Sequence, residues 1–164
     1  MMNNVAPIGR LLVVSIPIGN DDDITLRAIK ALGVADVVVC EEEREGQRLL
    51  RLLQIQKPLH FLNEHSTPSD VQSIVDLLKS GSVVALVSDA GTPLLADPGQ
   101  VLIQRCLALD IGIEVIPGAS SILTAVVRSG FDAGAFLFAG FVRRVEAERL
   151  EDFRKLASEP RTII

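Results

Sequence analysis

One uninterrupted apolar run, VVALV at residues 83–87, constrains the fold more than any other stretch of the sequence. The run is rich in β-branched side chains, which is typical of a strand buried on both faces of a parallel sheet. A long, turn-rich segment follows and contains Gly91, Pro93 and Gly99. Because a plain crossover loop needs only about 2–6 residues, this segment indicates a ligand-binding loop at the carboxyl end of a central strand. An ordinary connection is the alternative.

The helix after this loop is predicted to begin at Asp97 and to run through Leu109. Asp97 is a good N-cap residue, and Pro98 suits the first helical position because its missing N–H needs no partner there.

Four further apolar runs are predicted to be short strands, at residues 11–16, 36–40, 58–62 and 112–116. Each of them ends in a cluster of Gly, Pro or polar residues. Amphipathic helical patterns separate the strands, so the order is βαβαβαβαβ. This order implies an α/β fold with a mostly parallel five-stranded sheet and helices on both faces. The strand ends should line one edge of the sheet, at Ile16, Cys40, Leu62, Val87 and Ile116.

Three local patterns predict how the helices begin and what they bury. Asp22 or Asp23 is expected to cap the first helix. A second helix is expected to bury four leucines, Leu49, Leu50, Leu52 and Leu53. Thr67, Pro68 and Asp70 have the spacing of a capping box with proline at the first helical position.

The composition changes near residue 129, where a Gly-rich linker precedes the phenylalanine-rich segment 135–141. A charged helix is predicted at 146–157 with Leu150, Phe153 and Leu156 facing inward, and a further strand begins at Thr162. We therefore expect an α/β domain at residues 1–117, followed at 118–164 by a linker helix and the start of a second α/β domain. This second domain is expected to be incomplete, because termini usually lie at surfaces rather than in strands.

Composition limits the classes of function. The net charge of −5 gives no overall sign of a polyanion partner. Cys40 and Cys106 lack metal-ligand spacing and lie in apolar runs, so we expect reduced core cysteines in a cytoplasmic protein and no metal site. No apolar stretch approaches the roughly 20 residues that a membrane span needs.

Seven short motifs recur in the order found in a known family. They are PIGN at 17–20, DITLRA at 23–28, SDAGTP at 88–93, DPG at 97–99, IPGASS at 116–121, FLFAGF at 136–141 and EPRT at 159–162. In these motifs the chain resembles the tetrapyrrole methylase superfamily. Within it, the chain is most similar to the small-subunit ribosomal RNA methyltransferases that modify a cytidine 2′-hydroxyl.

The resemblance implies that S-adenosylmethionine binds in a cleft between two α/β domains, without a G-x-G-x-x-G fingerprint. It also implies a ribosomal RNA or small-subunit substrate and a homodimer. The implied cofactor-binding residues are Pro17, Asp89, Ala90, Gly91, Thr92, Leu95, Ala119, Ser120, Ser121 and Phe138. Small residues here would let backbone groups approach a zwitterionic ligand. Helix capping is an equally good role for Ser120 and Ser121.

The chain departs from the family pattern in two places. Relatives usually carry E-D-T-R where this chain has Glu41-Glu42-Glu43-Arg44, and Leu where it has Asp21. Three functions therefore stay open: methylation of a ribose 2′-hydroxyl in small-subunit ribosomal RNA, methylation of a uroporphyrinogen- or corrin-type tetrapyrrole precursor, and a cofactor-binding or dimerising module without activity.

Transfer of a methyl group to a weakly acidic hydroxyl would be helped by a base at the sheet edge. The candidate catalytic residues are Glu41, Arg44, Glu64 and His65. Glu41 has an equally good role as a solvated acid or a partner of Arg44, and His65 as a helix-entry residue.

Two groups of arginines are the candidate RNA-binding residues, Arg44 with Arg48 and Arg143 with Arg144. Arg44, Arg48 and Arg51 share roughly one helical face. Ion pairing with Glu42, Glu45 and Glu146 is the alternative, and such surface pairs stabilise little.

Overall fold

The computed structural model describes residues 8–95 and 99–164 of the chain, and these residues form two compact units that divide between Ala119 and Ser120. The strands of the first unit are β1 (Arg10–Val14), β2 (Val37–Cys40), β3 (Leu59–Phe61), β4 (Val83–Leu86) and β5 (Gly112–Ile116). Its helices are α1 (Leu26–Val34), α2 (Glu43–Leu52), α3 (Pro68–Lys79) and α4 (Gln100–Ala108).

The five strands form one sheet in the order β3-β2-β4-β1-β5, and every neighbouring pair is parallel. The predicted fold class is confirmed. β4 lies inside the sheet between β1 and β2, as its unbroken apolar run indicated. All five carboxyl ends therefore meet at one edge.

Successive side chains of the strands supply two apolar cores, one on each face of the sheet. On one face, Leu12 and Val14 of β1 pack with Leu32 of α1 and Leu49 of α2. On the other face, alternate strand residues pack with α3 and α4. α4, which follows β4, thus lies on the opposite face of the sheet from α1 and α2. These two helices follow β1 and β2, the strands on either side of β4. Ligand crevices of open α/β sheets form where adjacent strands lead to opposite faces.

The expected cap of α1 is wrong. Thr25 is the N-cap, and its hydroxyl accepts a hydrogen bond from the Ala28 N–H at 3.0 Å. Asp22 and Asp23 belong instead to a short 3-10 turn, Asp21–Asp23, which Asn20 caps. Three consecutive acidic residues fit the sequence pattern of an N-cap, but all three belong to the 3-10 turn that precedes the helix.

Two other helix starts behave differently. The capping box of α3 is present, because Thr67 and Asp70 exchange side-chain and backbone hydrogen bonds. These bonds to the carboxylate lower the pKa of Asp70. In α4, Gly99 is the N-cap and Gln100 the first residue. The predicted start at Asp97 and Pro98 lies outside the described residues.

The predicted buried face of α2 is only partly correct. Leu49 and Leu50 are buried, whereas Leu52 is 42% exposed. Gly46 is the further buried residue, and it lies directly against Cys40 of β2. The helix turns its glycine, rather than Leu52, towards the sheet, because only a residue without Cβ fits beside the Cys40 sulfur.

The second unit comprises α5 (Ser121–Ser129), β6 (Phe136–Leu137), α6 (Glu146–Leu156) and β7 (Thr162–Ile163). β6 and β7 pair in parallel with α6 between them in sequence, which makes a small βαβ arrangement. The expectation that α6 buries Leu150 and Phe153 is wrong, since these side chains are 49% and 52% exposed. A two-stranded sheet offers too little apolar surface to cover them. No described helix has the length and apolar character needed to cross a membrane.

Replacing Leu32 by Ala should lower the free energy of unfolding by about 2–5 kcal/mol, because it leaves a cavity in a fully buried site. The matched control is Leu26→Ala in the same helix, where the side chain is 77% exposed and the change should stay within about 0.5 kcal/mol. Urea unfolding followed by circular dichroism measures both. Equal losses in the two variants would contradict this assignment of the α1 face.

Candidate functional site

The loops after β1 and β4 are joined by backbone hydrogen bonds. The Ile16 N–H donates to the Gly91 carbonyl at 2.8 Å, and the Gly91 N–H donates to the Pro17 carbonyl at 3.4 Å. Gly91 has φ +75°, a left-handed conformation in which a Cβ is strained. The structure therefore brings together Pro17 and the loop of Asp89–Leu95, as the resemblance implied.

The segment after β5 reaches the same place. The Ser15 N–H donates to the Ile116 carbonyl at 3.0 Å. A Cβ on Gly118 would lie 2.9 Å from the Ser15 Cβ, so the two backbones touch. A Cβ on Gly91 would lie 3.9 Å from the Ala119 carbonyl oxygen. Three strand ends, those of β1, β4 and β5, thus converge on one junction.

Two buried hydroxyls lie within this junction. Ser15 is 1% exposed, and its Oγ lies 2.8 Å from the Thr92 Oγ1. Ser88 is 5% exposed, and its hydroxyl donates to the carbonyls of Ala90 and Gly91 at 3.1 and 3.3 Å. The loop after β4 is thus tied to itself through Ser88 and to β1 through Ser15.

The end of β2 joins the junction through Asp89. The Glu42 N–H donates to the Asp89 carboxylate at 3.4 Å. Burial raises the pKa of the Cys40 thiol to about 11, and the charges of Asp89, Glu43 and Glu42 raise it further. Cys40 is therefore a protonated core residue at neutral pH. Glu41, which follows it, is half-buried.

Glu64 and His65 lie together on an exposed turn after β3. Their side chains are 84% and 86% exposed, and the His65 Nε2 lies 3.6 Å from the Glu64 Oε1. The Asn63 side chain accepts a hydrogen bond from the His65 N–H, and the Ser66 hydroxyl accepts one from the Asn63 N–H. The turn is thus a well-formed helix entry, which was the alternative role of His65.

The arginines of α2 differ in their surroundings. Arg44 has a side chain 92% exposed, with only a 4.0 Å approach to Glu45. Arg48 instead donates to both carboxylate oxygens of Asp21, at 3.0 and 3.1 Å, and to Glu45 at 3.0 Å. Arg48 thus joins the loop after β1 to α2, as well as making the pair with Glu45 that the sequence allowed.

The second unit holds the remaining candidates. Ser120 is the N-cap of α5 and accepts from the Leu123 N–H at 3.3 Å, while Ser121 is the first residue of that helix. Phe138 is 40% exposed.

The two arginines of the second unit also differ. Arg143 donates to Asp152 at 2.7 Å and to Glu151 at 3.3 Å. This contact lowers the pKa of Asp152 to about 2. The Arg144 carbonyl accepts from the Arg149 side chain, and the Arg144 side chain has no ion pair among the described residues.

The junction offers the groups that a zwitterionic ligand with a carboxylate needs. Backbone segments approach closely at Gly91 and Gly118, and the Thr92 hydroxyl is half-buried among them. Leu94 adopts φ +78°, a conformation that non-glycine residues reach at some cost and that is common at binding sites. The residues present therefore fit the amino-acid part of S-adenosylmethionine. Within residues 8–95 and 99–164, no three His, Cys, Asp or Glu side chains are grouped to hold a metal ion.

The sequence analysis missed Ser15, Gly118 and the pair of Asp21 with Arg48. Ser15 is a lone polar residue at the end of an apolar run, and this was the available signal. The ion pair joins residues that are distant in sequence, so no local pattern predicts it.

Comparison with solved structures gives the class of the fold. A crystal structure of uroporphyrin-III C-methyltransferase from Thermus thermophilus, complexed with S-adenyl homocysteine, superimposes with a TM-score of 0.58 at 23% identity. The match covers 79% of this chain and 58% of that chain. The chain thus shares the fold of this methyltransferase structure.

Sequence comparison gives the family. The profile of the tetrapyrrole (corrin/porphyrin) methylases matches residues 10–164. The chain therefore belongs to the tetrapyrrole methylase family.

Two relatives are each named ribosomal RNA small subunit methyltransferase I. The protein from Rickettsia prowazekii is 43% identical over 154 residues, and the one from Thermotoga maritima is 40% identical over 157 residues. These matches cover 94% and 96% of this chain. The chain spans 55% of the Rickettsia protein and 70% of the Thermotoga protein.

Gly118→Ala should destabilise the protein by about 1–3 kcal/mol, because the new Cβ would overlap Ser15 in a packed junction. Gly33→Ala is the control: its Cβ would meet nothing within 4 Å, and alanine should stabilise α1 by about 0.5–1 kcal/mol. Urea midpoints measure both changes. A stabilising Gly118→Ala would contradict the close approach of the two backbones.

Proposed function

We propose that the protein is an S-adenosylmethionine-dependent methyltransferase that methylates a ribose 2′-hydroxyl of small-subunit ribosomal RNA. The observation that carries this proposal is the 43% identity, over 94% of the chain, to a protein named ribosomal RNA small subunit methyltransferase I. The junction of the β1, β4 and β5 ends supports it, because the junction offers a cofactor site at the ligand-binding edge of the sheet.

The cofactor would be held by the residues that the resemblance implies. In the first unit these are Pro17, Asp89, Ala90, Gly91, Thr92, Leu95 and Ala119. The resemblance also implies Ser120, Ser121 and Phe138. The complex of the Thermus methyltransferase with S-adenyl homocysteine supports this class of ligand, since its fold is similar.

S-adenosylmethionine supplies a methyl group bound to a positively charged sulfur. Held by the junction residues, it would donate this methyl group to the ribose oxygen, with S-adenosylhomocysteine as the other product. The hydroxyl proton passes to a base or to water. The residues that bind the cofactor and the RNA would accelerate the transfer mainly by positioning the ribose oxygen against the methyl group.

Glu41 is the base that we favour among the candidates. It is half-buried directly after β2, and the next residue contacts Asp89 in the junction. Glu64 and His65 are more than four-fifths exposed, so water already solvates both side chains and they are weaker candidates. Arg44 would bind a phosphate close to the reacting ribose.

Arg44 and Arg144 are the arginines best placed to bind RNA phosphates, because acidic side chains already engage Arg48 and Arg143. Lysine and arginine contacts to phosphate release counterions, so they make affinity depend on salt. A homodimer and a cytoplasmic location belong to the same proposal, because the resemblance implies the first and the ribosomal substrate implies the second.

Calorimetry with S-adenosylhomocysteine tests the cofactor site. Wild-type protein should bind saturably, and Thr92→Arg should abolish binding, because a long cation would fill a site that accepts a sulfonium. Ser80→Arg, an exposed change at the amino edge of the sheet, is the matched control and should bind normally. Undiminished binding by Thr92→Arg would contradict the site.

Transfer of labelled methyl groups to undermodified small ribosomal subunits tests the reaction and substrate. Labelled 2′-O-methyl nucleosides should appear after digestion. Labelling of uroporphyrinogen instead would favour a tetrapyrrole precursor, and S-adenosylhomocysteine binding without transfer to either would indicate an inactive module.

Reversing the charge of Arg44 tests the RNA surface. Arg44→Glu should weaken RNA binding and reduce the slope of log affinity against log salt by about one phosphate contact. Lys79→Glu makes the same charge change at the opposite edge of the sheet and should alter the slope less. Identical slopes in all three proteins would exclude Arg44 from the RNA surface.

A further inference from the structure

We propose that Ser15 is a positioning residue that holds the Thr92 hydroxyl as a hydrogen-bond donor to the cofactor. This proposal rests on the proposed function, because it assigns a role within the same site. The group that Thr92 binds would be a hydrogen-bond acceptor. In the amino-acid part of S-adenosylmethionine, the carboxylate is such an acceptor.

The direction of the hydrogen bond follows from burial. Ser15 is 1% exposed, and among the described residues Thr92 is the only partner of its hydroxyl. A buried hydroxyl without an acceptor loses the bond that water would have given, so its proton needs a partner. The Ser15 hydroxyl therefore donates, and the Thr92 oxygen accepts at 2.8 Å.

This direction leaves the Thr92 proton available. A hydroxyl has one proton to donate and two lone pairs to accept with. Because Thr92 accepts from Ser15, its own proton is free for a ligand, and its side chain is only half-buried. The hydroxyl of Ser88 offers no such donor, because it already donates to the carbonyls of Ala90 and Gly91.

The backbone of Ser15 is also held in place by the segment after β5. Its backbone N–H is bonded to the Ile116 carbonyl, and its Cβ lies against Gly118. The end of β5 thus fixes the backbone of Ser15, and the Ser15 hydroxyl in turn fixes Thr92. Preorganised polar groups bind a ligand without losing further conformational freedom.

The test is a double-mutant cycle of Ser15→Ala and Thr92→Val, measured by calorimetry with S-adenosylhomocysteine. Valine keeps the shape of threonine without the hydroxyl. Each single variant should weaken binding about five- to tenfold, the effect of one lost hydrogen bond. If Ser15 acts through Thr92, the double variant should bind no more weakly than Thr92→Val alone.

Two further variants separate positioning from structure. Thr92→Ser keeps the hydroxyl and should hold affinity within about twofold, so it should rescue what valine loses. Ser73→Ala is the control, because it removes an exposed hydroxyl that donates to the Ser69 carbonyl within α3, and it should leave affinity unchanged both alone and combined with Thr92→Val. If Ser15→Ala fails to fold, Ser15→Cys replaces it, since a thiol has similar size and donates weakly.

The outcomes separate this proposal from the proposed function. Unchanged affinity in Ser15→Ala, or effects of Ser15→Ala and Thr92→Val that multiply, would overturn the positioning role while leaving the cofactor site intact. Wild-type protein that does not bind S-adenosylhomocysteine would overturn the proposed function and this proposal with it. The same cycle in urea unfolding checks the hydrogen bond itself, where the two variants should also be non-additive.

Discussion

The two hydrogen bonds between Gly91 and the segment of Ile16 and Pro17 are the constraint on which the site depends. They join the loop after β4 to the end of β1. From this point the two segments lead to helices on opposite faces of the sheet. The other contacts of the loop after β4 depend on this connection. Thr92 reaches Ser15 only because Gly91 turns with a positive φ, and Asp89 reaches the end of β2 from the same loop.

The sequence predicts the sheet well because burial decides it. β4 is apolar at every position. A strand with that pattern must be buried on both faces, as in the middle of a parallel sheet. The stripe of Val71, Ile74, Val75 and Leu78 likewise predicts the buried face of α3. The cap of α3 was predictable because Thr67 and Asp70 satisfy each other three residues apart.

Predictions failed where two local solutions satisfy the same pattern or where contacts are distant. The acids after Asn20 suit a helix cap and a 3-10 turn equally, and the hydroxyl of Thr25 decided between them. Ser15 and Thr92 are 77 positions apart, so nothing near either residue indicates their pairing. The proximity of Pro17 to Gly91 was available only through the family resemblance, which carries long-range information that periodicity lacks.

The departure from the family pattern at Asp21 has a physical consequence. Asp21 brings a carboxylate to the loop after β1, and Arg48 binds it together with Glu45 of α2. The loop after β1 is thus tied to α2 by charge rather than by apolar contact.

This tie also changes how the chain could bind a polyanion. Both side chains of the Asp21–Arg48 pair are 43% exposed, and exposed ion pairs stabilise a protein by only about 0–1 kcal/mol. Breaking the ion pair between Arg48 and Asp21 would therefore cost little free energy. A phosphate bound to Arg48 would, however, leave the carboxylates of Asp21 and Glu45 without a partner next to the phosphate. Two uncompensated carboxylates repel a phosphate, whereas Arg44 has only the distant approach to Glu45. Local charge balance, more than the net charge of the chain, thus favours Arg44 over Arg48 as the phosphate contact on α2.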